Sequence, residues 1–174
     1  MPSPRPTASW PLGLSHSVIV RPIRPEDIDL ETEFARGLSG ETLYNRFLGA
    51  GVKLTPELLE RFTRIDFSRD MALIASVTIE GRETAIGVAR YARLADGLSC
   101  EFAITIADTW QRRGVGRKLL GMLIESARNH GVRRLIGEVL STNAPMLRLA
   151  RSMGFRAERH PEGVALRRVV LDLG

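Results

Sequence analysis

The sequence predicts a mixed α/β domain, and three observations carry that expectation. Residues 71 to 80, 84 to 94 and 98 to 107 are strand-like runs separated by turn signals at Gly81 and Asp96-Gly97, the pattern of an antiparallel meander. From Gly114 the apolar positions Val115, Leu119, Leu123 and Ala127 recur at helical spacing until Gly131 closes the run. A further strand follows over 133 to 140, RRLIGEVL. The stretch 98 to 140 therefore reads strand, helix, strand, a crossover expected to be right-handed and to leave its two strands parallel.

The remaining elements follow in chain order. The opening stretch MPSPRPTASWPLGL holds four prolines, so residues 1–16 are read as a mobile arm and 17–174 as one domain. VIVRPIR (18 to 24) combines β-branched residues with alternation, and Pro22 suggests an edge position or a strand start. Pro25 opens an acidic helix, PEDIDLETEFARGL, with carboxylates at its positive end and Gly37 near its stop. Helices follow from Glu41 (ETLYNRFLG) and Thr55 (TPELLERFTRID), where Thr55 caps and Pro56 takes the first helical position. After residue 140 come a helix from about Asn143 to Met153, a short strand FRAER and a last strand VALRRVVLDL. No repeat or low-complexity tract interrupts this order.

Composition narrows the function. With 174 residues, 44% of them hydrophobic and 26% charged, the chain fits one soluble globular domain. The net charge of +5 is carried almost wholly by arginine and attracts polyanions: nucleic acid, an anionic membrane or a phosphorylated cofactor. The arginines are spread along the chain and Trp and Tyr are too sparse for a stacking stripe, so no nucleic-acid partner is expected. No segment has signal-peptide or membrane-span character, so no membrane is expected either. The single cysteine, Cys100, excludes an internal disulfide and a thiolate zinc site, and a reducing cytoplasm is the simple inference. His16, His130 and His160 are scattered, so no metal is expected. Oligomeric state is not legible.

The anion signal is TWQRRGVGRKLL, residues 109 to 120. A strand, a short loop with two glycines and then a helix place free main-chain amides at a helix N-terminus, where they can donate to phosphate oxygens. Spacing excludes two better-known phosphate loops. A Walker loop needs Lys-Ser/Thr after its second glycine, and Lys118 is followed by Leu119; a dinucleotide fingerprint needs a third small residue where Leu119 stands. What fits is Gln/Arg-x-x-Gly-x-Gly/Ala, as Gln111-Arg112-Arg113-Gly114-Val115-Gly116.

From Glu101 to Phe155, through WQRRGVGRKLL, GVRRLIGEVLSTNAPM and MGF, the chain resembles the GNAT superfamily of acyl-CoA-dependent N-acyltransferases. Upstream, RPIRPEDIDLETEFARGLSGETLYNRFL and IDFSRDMALIA are similar to the catalytic domain of the bacterial Pat-like protein-lysine acetyltransferases. The resemblance implies a mostly antiparallel sheet with a central splayed parallel pair. It implies that acetyl-CoA lies where strand 98 to 107 parts from strand 133 to 140. The stretch Ile104, Thr105 and Ile106 would pair with the pantetheine amides, chiefly through the main chain of Ile104 and Ile106. Gln111, Arg112, Arg113, Gly114, Val115, Gly116 and Arg117 would hold the pyrophosphate. Asn143 is either a pantetheine contact, a plain helix cap, or both.

Glu101 matches the glutamate that the Pat-like enzymes use as general base. A lysine ammonium, with a reference pKa of about 10.4, cannot attack a thioester until it loses a proton. Glu138 is the reserve. Many GNAT enzymes place a tyrosine general acid four residues before the Gly-Phe pair; here Ala150 stands there, so solvent is expected to protonate the departing thiolate. Cys100 reads as a small buried hydrophobe. The acceptor implied is a protein lysine, an acyl-CoA synthetase among the substrates that the branch suggests. A small amine, or a non-catalytic acyl-CoA sensor, stands as the alternative.

Overall fold

The structure, a computed structural model, describes residues 8–49 and 51–174. Eight strands, β1 (Ala8–Leu12), β2 (His16–Pro22), β3 (Met71–Ile79), β4 (Arg82–Arg93), β5 (Ser99–Ile106), β6 (Arg134–Leu140), β7 (Arg156–His160) and β8 (Gly163–Asp172), form one sheet. Their order is β1-β2-β3-β4-β5-β6-β8-β7. Five α-helices flank it: α1 (Ile28–Arg36), α2 (Gly40–Arg46), α3 (Pro56–Thr63), α4 (Val115–Asn129) and α5 (Ala144–Ser152). The meander, the crossover and the parallel pair are as the periodicity predicts, and each predicted element falls within a few residues of its observed bounds.

The N-terminal reading is corrected in part. Residues 1–7 lie outside the described residues, but Ala8–Leu12 is an edge strand, paired with β2 from Ala8↔Val20 to Leu12↔His16. Alternation explains it: Trp10 and Leu12 point inward onto the main core, and the Lys118 ammonium sits 4.9 Å from the centre of the Trp10 ring. Pro11 is tolerated because β1 is an edge. β2 is thereby covered, and Pro22 is accommodated as its last residue.

The acidic segment begins with a 3-10 turn, Pro25–Asp27, before α1. Both Asp27 oxygens accept from Arg21 at 2.7 Å, and Oδ2 also accepts from the Arg24 N–H at 2.8 Å, which ties the end of β2 to the start of α1. Burial alone would raise the Asp27 carboxyl; the bonds from Arg21 and Arg24 prevail and hold it below the usual carboxylate range.

The two faces of the sheet differ. Cys100 and Phe102 on β5 and Leu135 and Val139 on β6 join Leu119, Leu120 and Leu123 of α4 in the main core. Ala103 and Thr105, one residue out of phase, face the side of α1 and α2. β5 and β6 pair only at Ser99↔Arg134, Cys100↔Leu135 and Glu101↔Ile136. Beyond that they part, β5 following β4 to Ile106 and β6 following β8 to Leu140. Phe102 occupies the fork: a Cβ added at Gly137 would lie 2.5 and 2.8 Å from its ring and 3.0 Å from Val169.

Gly137→Ala is expected to lower stability by about 1–3 kcal/mol by overpacking the fork, measured by urea denaturation, with Phe102→Leu restoring part of the loss. Asp27→Asn is expected to cost about 3 kcal/mol at pH 7. Because the folded-state pKa of Asp27 is depressed, its contribution is complete at neutral pH and is lost as pH falls through that pKa; the gap between the two proteins should close in acid.

Candidate active site

The fork presents unpaired main chain. The Ala107 N–H donates to Ile86 O at 2.8 Å, which fixes the alternation along β5. Thr105, like Ala107, turns its main-chain groups toward β4, whereas Ile104 and Ile106 turn theirs toward the side that β6 has left. Thr105 is therefore not brought to the opening: its side chain is buried on the α1 face. The Gln111 side-chain N–H donates to Ile106 O at 3.0 Å, so the amide of Gln111 sits at the edge expected to pair with a pantetheine arm.

After β5, a 3-10 turn over Asp108–Trp110 leads into the glycine loop. Gly114 is the N-cap of α4 with φ +83°, and no side chain caps the helix. The first intrahelical bond runs from the Lys118 N–H to Gly114 O, so the amides of Val115, Gly116 and Arg117 have no partner within the helix. Arg112 also has a positive φ, 60°. Left-handed residues in such a turn are an ingredient of main-chain anion nests, in which successive N–H groups converge. A Cβ at Gly114 would meet nothing within 4 Å, so the ground above the loop is open, whereas one at Gly116 would make ordinary contacts with Leu149 and Ile106.

The side chains of the loop have separate tasks. Val115 is fully buried and roots the loop in the core, leaving only its main chain to a ligand. The Arg113 guanidinium lies 5.1 Å from the Trp110 ring centre, and Arg117 donates to the Ser152 hydroxyl at 3.2 Å. Asn143 caps α5, accepting from the Met146 N–H at 3.2 Å. Ala150 is fully buried, so the position at which the resemblance leads one to look for a tyrosine offers no proton.

Glu101 stands at the crotch of the fork as the last β5 residue in register with β6. Its exposed carboxylate lines an open cleft of about 810 Å³, together with Arg46, Phe62, Arg90, Tyr91 and Ala103. It makes no hydrogen bond or ion pair among the described residues. Glu138, the reserve, is engaged: the buried His160 ring lies 2.8 Å from its Oε1 and Arg168 3.5 Å away. Cys100 is fully buried and burial pushes its thiol up to about 11, which removes it as a nucleophile.

Three charged residues that the sequence reading did not single out, Glu31, Arg46 and Arg90, shape the α1–α2 side. Arg90 donates to Phe62 O at 3.1 Å and to Glu31 at 3.4 Å, and lies 4.6 Å from the Phe62 ring centre. The second oxygen of Glu31 is buried without a partner among the described residues, and Glu31 lines a cavity of about 30 Å³ with room for one water. Burial raises the Glu31 carboxyl, with Arg90 and Arg46 opposing. Arg46 is pushed down to about 10 by burial and by the charge of Arg90, against the pull of Glu31 and Glu101. A signal existed: Glu31 falls on the apolar stripe of α1 between Leu30 and Phe34, where a carboxylate needs a cation.

The acetyltransferase (GNAT) domain model matches residues 17–156. An acetyltransferase of Pseudomonas aeruginosa is 36% identical over 145 residues, spanning 83% of this chain and 78% of that protein. The acetyltransferase Pat of Mycolicibacterium smegmatis is 32% identical over 151 residues, 86% of this chain, but only 44% of that longer protein. Among solved structures, the GNAT domain of S. lividans PAT superposes with a TM-score of 0.85 at 30% identity, covering 96% of this chain and 97% of that one.

Gly114→Ala is expected to cost about 1 kcal/mol, since the added Cβ meets no atom but must take a left-handed conformation; thermal unfolding measures it.

Proposed function

The chain belongs to the GNAT acetyltransferases, and from that premise we propose that it acetylates lysine side chains of proteins, with Glu101 as the general base. Members of the family move an acetyl group from acetyl-CoA to an amine, and among the described residues no group of side chains could hold a metal ion. The observation that carries the finer reading is the place of Glu101, where β5 and β6 part and at the edge of an open cleft. A thioester threaded through the fork from the loop side would emerge beside that carboxylate.

In the proposed reaction, diphosphate oxygens take the free amides of Val115, Gly116 and Arg117, with Arg112 and Arg113 adding charge. Pantetheine amides pair with the exposed edge at Ile104 and Ile106. Glu101, directly or through a water, removes a proton from the lysine ammonium. The amine nitrogen attacks the thioester carbonyl carbon and the C–N bond forms, the nitrogen gives up its second proton to water, the C–S bond breaks, and the thiolate leaves. Solvent protonates it, since a thiol with a pKa of about 8.5 leaves readily and the buried Ala150 supplies no acid. No acyl-enzyme forms, in keeping with the burial of Cys100. The resemblance of RPIRPEDIDLETEFARGLSGETLYNRFL to the Pat-like branch favours a protein acceptor, and the openness of the cleft leaves room for a chain segment. No described helix is long and apolar enough to cross a membrane.

Incubation with radiolabelled acetyl-CoA and a cell extract should put label on protein lysines. Label confined to small amines would overturn the lysine acceptor and leave acetyl transfer intact; coenzyme binding without any transfer would point to a sensor. Glu101→Gln should lower kcat about 100-fold or more at neutral pH while the affinity for coenzyme A, read by calorimetry, stays nearly unchanged.

A further inference from the structure

α2 forms part of the acceptor wall, yet little holds it there by packing. It has seven residues, four of them half-buried and none fully buried. Such a short helix has no independent stability, so its place must be fixed from outside. Its C-terminal end brings Arg46 to the cleft beside Glu101. Its N-terminal end is bound by one side chain from outside the helix.

That side chain is Asp108, in the turn between β5 and the glycine loop. Oδ2 accepts from the Ser39 N–H at 2.9 Å, and Oδ1 accepts from the Ser39 hydroxyl at 2.6 Å and the Thr42 hydroxyl at 2.9 Å. Ser39 is the N-cap of α2 and its oxygen accepts from the Thr42 N–H at 3.1 Å. Three donors on one carboxylate, chiefly the Ser39 hydroxyl, hold it below the usual range, so it is a charged acceptor at neutral pH. The chain of bonds continues. The Gln111 amide donates to Thr42 Oγ1 at 3.3 Å and to Ile106 O at 3.0 Å.

We infer that Asp108 is a positioning residue that ties the acceptor-side helix α2 to the cofactor edge, so that coenzyme binding at the fork firms up the acceptor wall. The inference rests on the reading that coenzyme A pairs with the β5 edge and the glycine loop. A pantetheine N–H that takes Ile106 O displaces the Gln111 amide from it and leaves that amide to Thr42. Phosphate held by the loop amides fixes the turn that carries Asp108. Both changes strengthen the anchorage of Ser39 and Thr42, and neither requires α2 to touch the coenzyme.

Hydrogen exchange with and without saturating coenzyme A tests this, since no acceptor has to be known. In the native protein, protection of the segment 39–47 should rise about fivefold or more on adding coenzyme, the lower end of ordinary coupling between sites. In Asp108→Ala that response should disappear, while calorimetry shows coenzyme A still bound and thermal unfolding shows a folded protein. Thr42→Val, which removes one bond to Asp108 and the bond from Gln111 but spares the Ser39 contacts, should reduce the response and serves if the alanine variant does not fold. An unchanged segment in the native protein with coenzyme bound, or an undiminished response in both variants, overturns the coupling. Failure of the native protein to bind coenzyme A in calorimetry is a separate result, which overturns the cofactor reading and the inference resting on it.

Discussion

Everything in the site depends on two parallel strands that share only three residue pairs. In a continuous sheet each main-chain N–H and C=O of β5 would be consumed by a neighbour on either side. Here Phe102 fills the fork, and Gly137 is the residue on β6 that leaves space for its ring. The strands cannot close above it. What remains is an edge in the middle of a sheet, with polar groups left free of β6, one of which, Ile106 O, accepts from the Gln111 amide. Glu101 stands at the crotch of that separation, the last β5 residue in register with β6.

The faces divide the labour electrostatically. On the loop side, the main-chain amides at the start of α4 are left without a partner in the helix, while the side chain of Val115 anchors the turn, Arg113 lies against Trp110 and Arg117 is bonded to Ser152. On the other side, charge is carried by side chains in partial burial: Arg90 held by Glu31, Arg46 pushed down to about 10, and Glu101 left exposed beside them. A buried carboxylate with one unpaired oxygen is costly, and Glu31 persists because Arg90 and Arg46 offset part of that cost. Asp108 joins the two sides at their common edge. Its carboxylate accepts from Ser39 and Thr42, and so links the turn after β5 to the first residues of α2.

What the sequence determined alone is whatever follows from short-range regularity. Period-two runs defined the meander, the row Val115, Leu119, Leu123, Ala127 defined α4, and Gln111-x-x-Gly114-x-Gly116 between strand and helix marked the candidate phosphate loop. Family resemblance then put Glu101 and the β5 edge on the list of site residues. Only tertiary structure decided the rest, because it depends on registers and distances between residues far apart in the chain. Thr105 had the right position in the chain, but the pleat turns its main chain to β4. Ala8–Leu12 was read from its prolines as an arm, and it becomes a strand because β2 offers an edge and the core takes Trp10 and Leu12. Glu31, Arg46, Arg90 and the Asp108 contacts with Ser39 and Thr42 span from 15 to almost 70 positions of chain. No local pattern encodes such pairs; they exist because the sheet brings α1, α2 and the turn after β5 to one side of the fork.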